Sequence, residues 1–196
     1  SYDALGRPGT TTLVLSDASY VQTPGFDLWA RPTTQSLQRG SAAAKVYTRR
    51  YNAYGHVSSL ERTSPAPGLS LWQASALDAA LRVTQASLGN GLQALQGFNP
   101  SSARLSSRTL QTAAGAPRLL QGYTYDALGN VLQRSQQWDG SGFVENFSYD
   151  AAGNLASKPG AGTYSYPAQG PGSVRPHGVL GVSGVAGSYS YDDNGN

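Results

Sequence analysis

Cysteine and methionine are absent from this chain, and its 196 residues hold only two histidines and two lysines. Without cysteine there is no disulfide, no thiol nucleophile and no thiolate-held zinc or iron–sulfur centre; the compartment stays open, because oxidising surroundings permit disulfides without requiring them. Charge is also sparse, at 13% of residues, with 14 basic against 11 acidic side chains and a formal net charge of +3. Arg7, Arg31, Arg49, Arg50, Arg82, Arg104, Arg118 and Arg134 are scattered, whereas a phosphate-tracking groove needs a basic stripe, so no nucleic-acid partner is expected. No apolar run approaches the roughly 20 residues of a membrane-spanning helix, and residues 1–20 lack the charged-then-apolar layout of a signal peptide. No membrane span is expected.

What the chain does have is 24 Gly, 11 Pro, 12 Tyr and 3 Trp. Turn formers in that number, with aromatic area that a disordered chain lacks, argue against collagen and against a disordered linker. The length suits one domain or part of a repeat array and is enough to bury a core.

Internal repetition is the strongest signal. Tyr2-Asp3-Ala4-Leu5-Gly6-Arg7, Tyr125-Asp126-Ala127-Leu128-Gly129-Asn130 and Tyr149-Asp150-Ala151-Ala152-Gly153-Asn154 nearly superpose, and Tyr191-Asp192-Asp193-Asn194-Gly195-Asn196 is a fourth copy. Weaker copies start at Phe26, Tyr51 (with Asn52 and Gly55), Leu77 and Phe98, the last with one inserted residue. Tyr166 to Gly170 matches only at its Tyr and Gly. The starts at 2, 26, 51, 77, 98, 125, 149, 166 and 191 give intervals of 24, 25, 26, 21, 27, 24, 17 and 25 residues, clustered around one period.

The motif reads as a hairpin turn. The aromatic residue ends a strand, the Asp carboxylate accepts from the backbone N–H groups that follow, and two residues occupy the right-handed positions of a type I turn. Gly then takes the φ > 0 place of a G1 bulge. Tyr123-Thr124-Tyr125, Phe147-Ser148-Tyr149, Tyr164-Ser165-Tyr166 and Tyr189-Ser190-Tyr191 alternate with period two and read as incoming strands; Val131 to Arg134 and Leu155 to Ser157 read as outgoing ones. Where Ala30, Leu81 or Ala103 replaces the Gly, a left-handed residue costs roughly 1–2 kcal/mol, so those turns are expected to differ in type. Thr63 to Gly68, Lys158 to Gly162 and Gln169 to Gly172 read as loops or far-edge hairpin ends. Leu71 to Leu88 offers a short amphipathic helix as an alternative; strand is preferred, with a hairpin turn at Gly89-Asn90-Gly91.

The expected fold is all-β, made of consecutive antiparallel hairpins that form a spiralling ribbon or part of a β-shell. Residues 1–196 are expected to make a single continuous array of about eight hairpin repeats. The structural turn residues are Tyr2, Asp3, Gly6, Tyr51, Gly55, Tyr125, Asp126, Gly129, Tyr149, Asp150, Gly153, Tyr191, Asp192 and Gly195.

At these residues the chain resembles the YD-repeat, or RHS-repeat, proteins of bacteria, whose relatives include the shell components of insecticidal Tc toxins and animal teneurins. The stretch from Tyr164 through Arg175-Pro176-His177 to Asp192 extends the resemblance beyond the short motif. The resemblance implies a hollow shell of hairpins around a toxin domain, with flanking repeats and that toxin as partners within one parent chain. It also implies a secreted or cell-surface bacterial location. The family's Asp-Pro-x-Gly self-cleavage site has no counterpart, so neither self-cleavage nor a toxin warhead is carried over. A chain without Met that opens inside a turn motif and stops at Asn196 is expected to be truncated at both ends, with exposed strand edges through which copies could pair.

Signals for chemistry are few. His56 and His177 belong to no triad signature and no His-x-x-x-His spacing. Glu61, Glu145 and Asp139 would have to be brought together by folding to make a carboxylate pair. Asp192 to Asn196 lacks the alternating spacing of an EF-hand loop. Gly181 to Gly187 precedes no helix and reads as a flexible loop. The expectation is no enzyme, no cofactor and no metal. The rings of Tyr123, Tyr125, Phe147, Tyr149, Tyr164, Tyr166, Tyr189 and Tyr191 are preferred as core; were one row exposed, it would serve as a stacking platform for carbohydrate or a partner chain.

Overall fold

A computed structural model describes residues 1–66, 68–192 and 194–195. Sixteen strands follow one another with no helix among the described residues. They are β1 (Thr11–Val14), β2 (Ser19–Phe26), β3 (Pro32–Arg39), β4 (Lys45–Tyr51), β5 (Val57–Ser64), β6 (Leu69–Leu77), β7 (Val83–Leu88) and β8 (Leu92–Phe98), then β9 (Leu105–Thr112), β10 (Pro117–Tyr125), β11 (Val131–Trp138) and β12 (Ser141–Asn146). These twelve are hydrogen-bonded in chain order. A second sheet takes β13 (Ser148–Tyr149), β14 (Leu155–Lys158), β15 (Gly162–Ser165) and β16 (Gly181–Val182), also in order. The fold is all-β and built of consecutive antiparallel hairpins, and Leu71 to Leu88 is strand, turn and strand. The chain divides into two compact units, residues 1–95 with 110–116, and residues 96–109 with 117–196.

A G1 bulge places its register shift just before the residue that enters the turn, and five shifts fall there, at Gly25/Phe26, Arg50/Tyr51, Ala76/Leu77, Thr124/Tyr125 and Ser148/Tyr149, while further shifts at Val46/Tyr47, Leu60/Glu61 and Ala74/Ala76 lie within the strands. Because every connection joins neighbouring strands, the motif turns alternate with the opposite connections, such as Gly89-Asn90-Gly91 and Asp139-Gly140. Gly91 donates to Leu88 at 3.0 Å and holds φ 82°.

Several expectations are corrected. The turns at Ala30 and Leu81 are not of another type: both residues take the left-handed conformation, with φ 61° and 62°. The flanking hydrogen bonds outweigh the Cβ penalty there. Only the turn ending at Ala103 differs, because its extra residue moves the closing bond to Ala103 N–H and Asn99 C=O. Tyr166 starts no hairpin. Residues 166–180 form an irregular excursion between β15 and β16, and Tyr189-Ser190-Tyr191 is not strand. Gly181 to Gly187 opens with the short strand β16 before turning, with Ser183 N–H donating to Thr163 C=O.

The core is also less than expected. Among the described residues the only buried apolar side chains are Ala86 and Ala94, cross-strand partners on β7 and β8, and no large side chain is fully buried. The rings of Tyr51, Tyr123, Tyr125, Phe147, Tyr149, Tyr164, Tyr166 and Tyr191 are half-buried, whereas Tyr2 and Tyr189 are exposed. A sheet with one covering layer at most shields rings along their edges rather than enclosing them, so stability rests on ladders and turns more than on a packed interior.

Candidate functional site: the repeat turn and its clasp

Each turn is built around one acidic or amide side chain. Asp3 Oδ1 accepts from Leu5 and Arg7 N–H, both at 2.9 Å, while Oδ2 takes the Arg7 Nε at 2.6 Å. Asp27 repeats this with Trp29 and Arg31, and Asp78 with Ala80 and Arg82. Asp150 accepts from Ala152 and Asn154 N–H in the same way, Asp126 accepts instead from Gly129 and Asn130 N–H, and both close on an asparagine Nδ2, of Asn154 and Asn130, at 2.9 Å. At the third turn Asn52 Oδ1 accepts from Tyr54 and His56 N–H at 3.0 Å, with no carboxylate at all. Two backbone bonds frame all six: Gly6 N–H to Asp3 C=O and Asp3 N–H to Arg7 C=O, and their counterparts. Asp192 begins the same arrangement, accepting from Asn194 N–H, with Gly195 N–H donating to its carbonyl. Asp193 and Asn196 lie outside the described residues.

Acceptance of these bonds lowers the carboxyl pKa values. The Arg7 N–H and guanidinium do so for Asp3, the Arg82 side chain and N–H for Asp78, and the Asn130 amide for Asp126. At Asp27 and Asp150 burial pushes upward, but the bonds from Arg31 and Asn154 outweigh it.

The aromatic residue has a second task that the sequence did not disclose. Tyr51 donates its hydroxyl to Pro32 C=O at 2.7 Å, Tyr125 to Leu105 at 2.7 Å and Tyr149 to Val131 at 3.1 Å. In each case the acceptor is the first residue after the preceding turn. The sixth motif residue completes the clasp from the other side: the Arg31 guanidinium lies 4.2 Å from the Tyr51 ring centre, Arg7 lies 4.7 Å from that of Phe26, and Arg104 5.8 Å from that of Tyr125. Arg104 also donates to Leu128 C=O and occupies the space that a Cβ on Gly129 would fill. Gly129 therefore serves its own turn through φ 100° and the neighbouring turn through its missing side chain. The signal lay in the Arg-then-Tyr spacing of about one period, which is visible only once the hairpins are paired.

The excursion after β15 docks by variants of this device. Asn154, buried, donates to Asp150 and to Pro176 C=O, and its Oδ1 faces His177 Nδ1 at 2.5 Å. Tyr166 donates to Leu155 C=O, and its pKa is raised by burial and then by the Asp150 charge. Tyr191 donates to Val179 C=O, and Arg175 to the carbonyls of Tyr191 and Asp192.

The residues weighed for catalysis are dispersed into local pairings. Glu61 accepts from Arg50 and Ser59, Glu145 from Arg134 with Lys158 at 3.9 Å, and Asp139 faces Arg118 at 3.8 Å. His56 closes the third turn. Among the described residues no group of three or more His, Cys, Asp or Glu side chains converges as a metal site would.

Turns of this construction, four of them clasped to the preceding repeat at Phe26, Tyr51, Tyr125 and Tyr149, define a repeat protein of chained hairpins. No protein-family model and no curated protein matches the chain. Solved structures do. The crystal structure of TcdB2-TccC3 without its hypervariable C-terminal region aligns with TM-score 0.70 at 14% identity, covering 100% of this chain and 12% of that one. TcdB2-TccC3-Cdc42 gives 0.65 at 15% identity, and the Tc holotoxin pore of Photorhabdus luminescens 0.64 at 16%, covering 87% and 85% of this chain. The chain thus spans about a tenth of the length of these structures' chains, 9–12%. It has an RHS-repeat-like fold.

Proposed function

We propose that this chain is a non-catalytic wall segment of an RHS-type shell, one stretch of a continuous array of about eight hairpin repeats that encloses a toxin domain in a secreted bacterial protein. The observation that carries the reading is the clasp. Tyr51, Tyr125 and Tyr149 spend their hydroxyls on the preceding repeat, and the motif carboxylates spend theirs on the turn backbone, so the repeated polar groups serve construction. The likeness to the TcdB2-TccC3 structures supports the same reading. Electron cryo-microscopy of the purified product of the native gene tests it. A hollow hairpin wall with density inside is expected; an open ribbon with nothing enclosed overturns it.

A second reading, a carbohydrate- or protein-binding module, has one observation in its favour. Trp138 and Phe143 meet edge to face with centroids 5.9 Å apart and stay partly exposed beside Gln136 and Gln121, a pairing of ring and amide that suits sugars. A glycan screen whose hits disappear in Trp138→Ala would favour it; a screen without hits counts against it.

A further inference from the structure

A cavity of about 690 Å³ opens on one face of the first four strands, a size that suits a small molecule. Cross-strand pairing sets its floor. Thr11, Gln22, Leu37 and Lys45 make one row across β1 to β4, Leu13, Tyr20 and Arg39 make the row beside it, and Tyr47 lies two residues beyond Lys45 on the same face. Ala42 and Ala43, from the connection between β3 and β4, close one side. Leu13 and Leu37 stay 56% and 39% exposed where they line the cavity.

One wall is fixed before anything binds. Tyr20 Oη donates to Asp17 at 2.7 Å, Arg39 Nη2 donates to Asp17 at 2.9 Å, and Arg39 Nε donates to Tyr20 Oη at 3.1 Å, so the charges on this side cancel within a closed network. Gln38 donates to Ala42 C=O at 3.1 Å and Gly40 N–H to Ser19 C=O at 2.7 Å, which hold the connecting loop. Groups already ordered lose little entropy on binding.

Positive charge is left over on the opposite side. Arg62 stands on β5 directly across from Tyr47, and among the described residues no carboxylate pairs with it or with Lys45. Glu61 is spent on Arg50, and both side chains belong to the other face of the sheet. The Arg62 Nε is buried without a hydrogen-bond partner. A buried donor left unmade costs free energy that an incoming acceptor recovers.

The geometry points to a binding site for a small organic acid, with its apolar body against Leu13, Leu37 and the Tyr20 ring and its carboxylate on Lys45, on the side where Arg62 stands. A cationic ligand would meet two uncompensated positive charges, and a neutral one would forgo the charge-assisted bond. The site stands whether or not the chain encloses a toxin, and it is separate from the Trp138 and Phe143 pair.

Isothermal titration with 1-naphthylacetate, 2-(1-naphthyl)ethanol and 2-(1-naphthyl)ethylamine, which share a ring system and differ in charge, tests the proposal. Saturable one-to-one binding of the acid is expected, at least ~10-fold tighter than the alcohol, with the amine weaker still. Lys45→Met and Arg62→Gln should weaken the acid by about 10-fold and about 3-fold and leave the alcohol unchanged, whereas Leu37→Ser should weaken both ligands. Arg49→Gln removes a charge from the same strand outside the cavity and should change neither at about 0.15 M salt. No saturable binding of the acid overturns the proposal. So does equal affinity for acid, alcohol and amine, which would be unspecific apolar adsorption, or equal weakening by Lys45→Met and Arg49→Gln, which would be attraction by overall charge. Far-ultraviolet circular dichroism of each variant establishes that the sheet is retained.

Discussion

Apart from the turn with an inserted residue, which lies in the second unit and ends on Arg104, the turns of the first unit close mostly on arginine, at Arg7, Arg31 and Arg82, and those of the second unit on asparagine, at Asn130 and Asn154. The backbone is the same in both, with the same two framing hydrogen bonds and the same positive φ at the fifth place. Turn geometry is therefore set by the second residue and the main chain, and the sixth is free to specify the neighbour. Arginine reaches the next aromatic ring, as Arg7 reaches Phe26; asparagine stays within its turn, or, at Asn154, receives the Pro176-His177 segment.

The comparison breaks most directly at the clasp. Tyr125→Ala removes a half-buried ring, its bond to Leu105 and the seat of Arg104, and is expected to cost about 2–3 kcal/mol in urea unfolding. Tyr125→Phe keeps the ring and should cost about 1 kcal/mol. Equal losses in the two variants would mean that the ring contributes nothing beyond its hydroxyl.

Acid should separate the turns by their second residue. Asp3, Asp27, Asp78, Asp126 and Asp150 have folded pKa values below the ordinary carboxyl value of 3.8, so their contribution is complete above that value and is lost as pH falls through the folded values. The thermal midpoint should therefore fall below about pH 4. Asp126→Asn with Asp150→Asn should flatten that fall while keeping the turns, as Asn52 does in the third one.

Smaller still is relief of a strained turn. Ala30→Gly, at an exposed position, should raise stability by about 0.5–1 kcal/mol, the left-handed penalty less the added freedom of the unfolded chain, read from the shift in denaturant midpoint. Smallest is Arg7→Asn, which rewrites the first turn in the manner of the second unit. Its midpoint should change little at high salt, because a solvent-screened pair contributes little.

The hairpins, their period and the type of turn were legible because the motif writes each requirement locally: Asp126 for the N–H groups, Gly129 for φ > 0, Tyr123 and Tyr125 for one strand face. What lay out of reach was non-local or cumulative. Ala30 and Leu81 violate the local rule for the fifth place and are held to it by two hydrogen bonds each, which no single residue announces. Tyr166 carries the aromatic signal without a hairpin, because the chain beyond it is occupied in docking on Asn154. The small core was not legible either: among the described residues only Ala86 and Ala94 are buried apolar side chains, and rings such as Tyr51 and Tyr125 are covered by arginine rather than enclosed by apolar neighbours.

The clasp also bears on how such a chain comes to be folded. Tyr51 reaches back 19 residues to its acceptor, Tyr125 20 and Tyr149 18. Contacts of that span close quickly and need nothing from the distant end of the polypeptide. At synthesis rates of about 5–20 residues per second, a repeat and the partner that locks it emerge within a few seconds of each other. The sheet can then grow strand by strand behind the ribosome, with its incomplete edge confined to the newest hairpin.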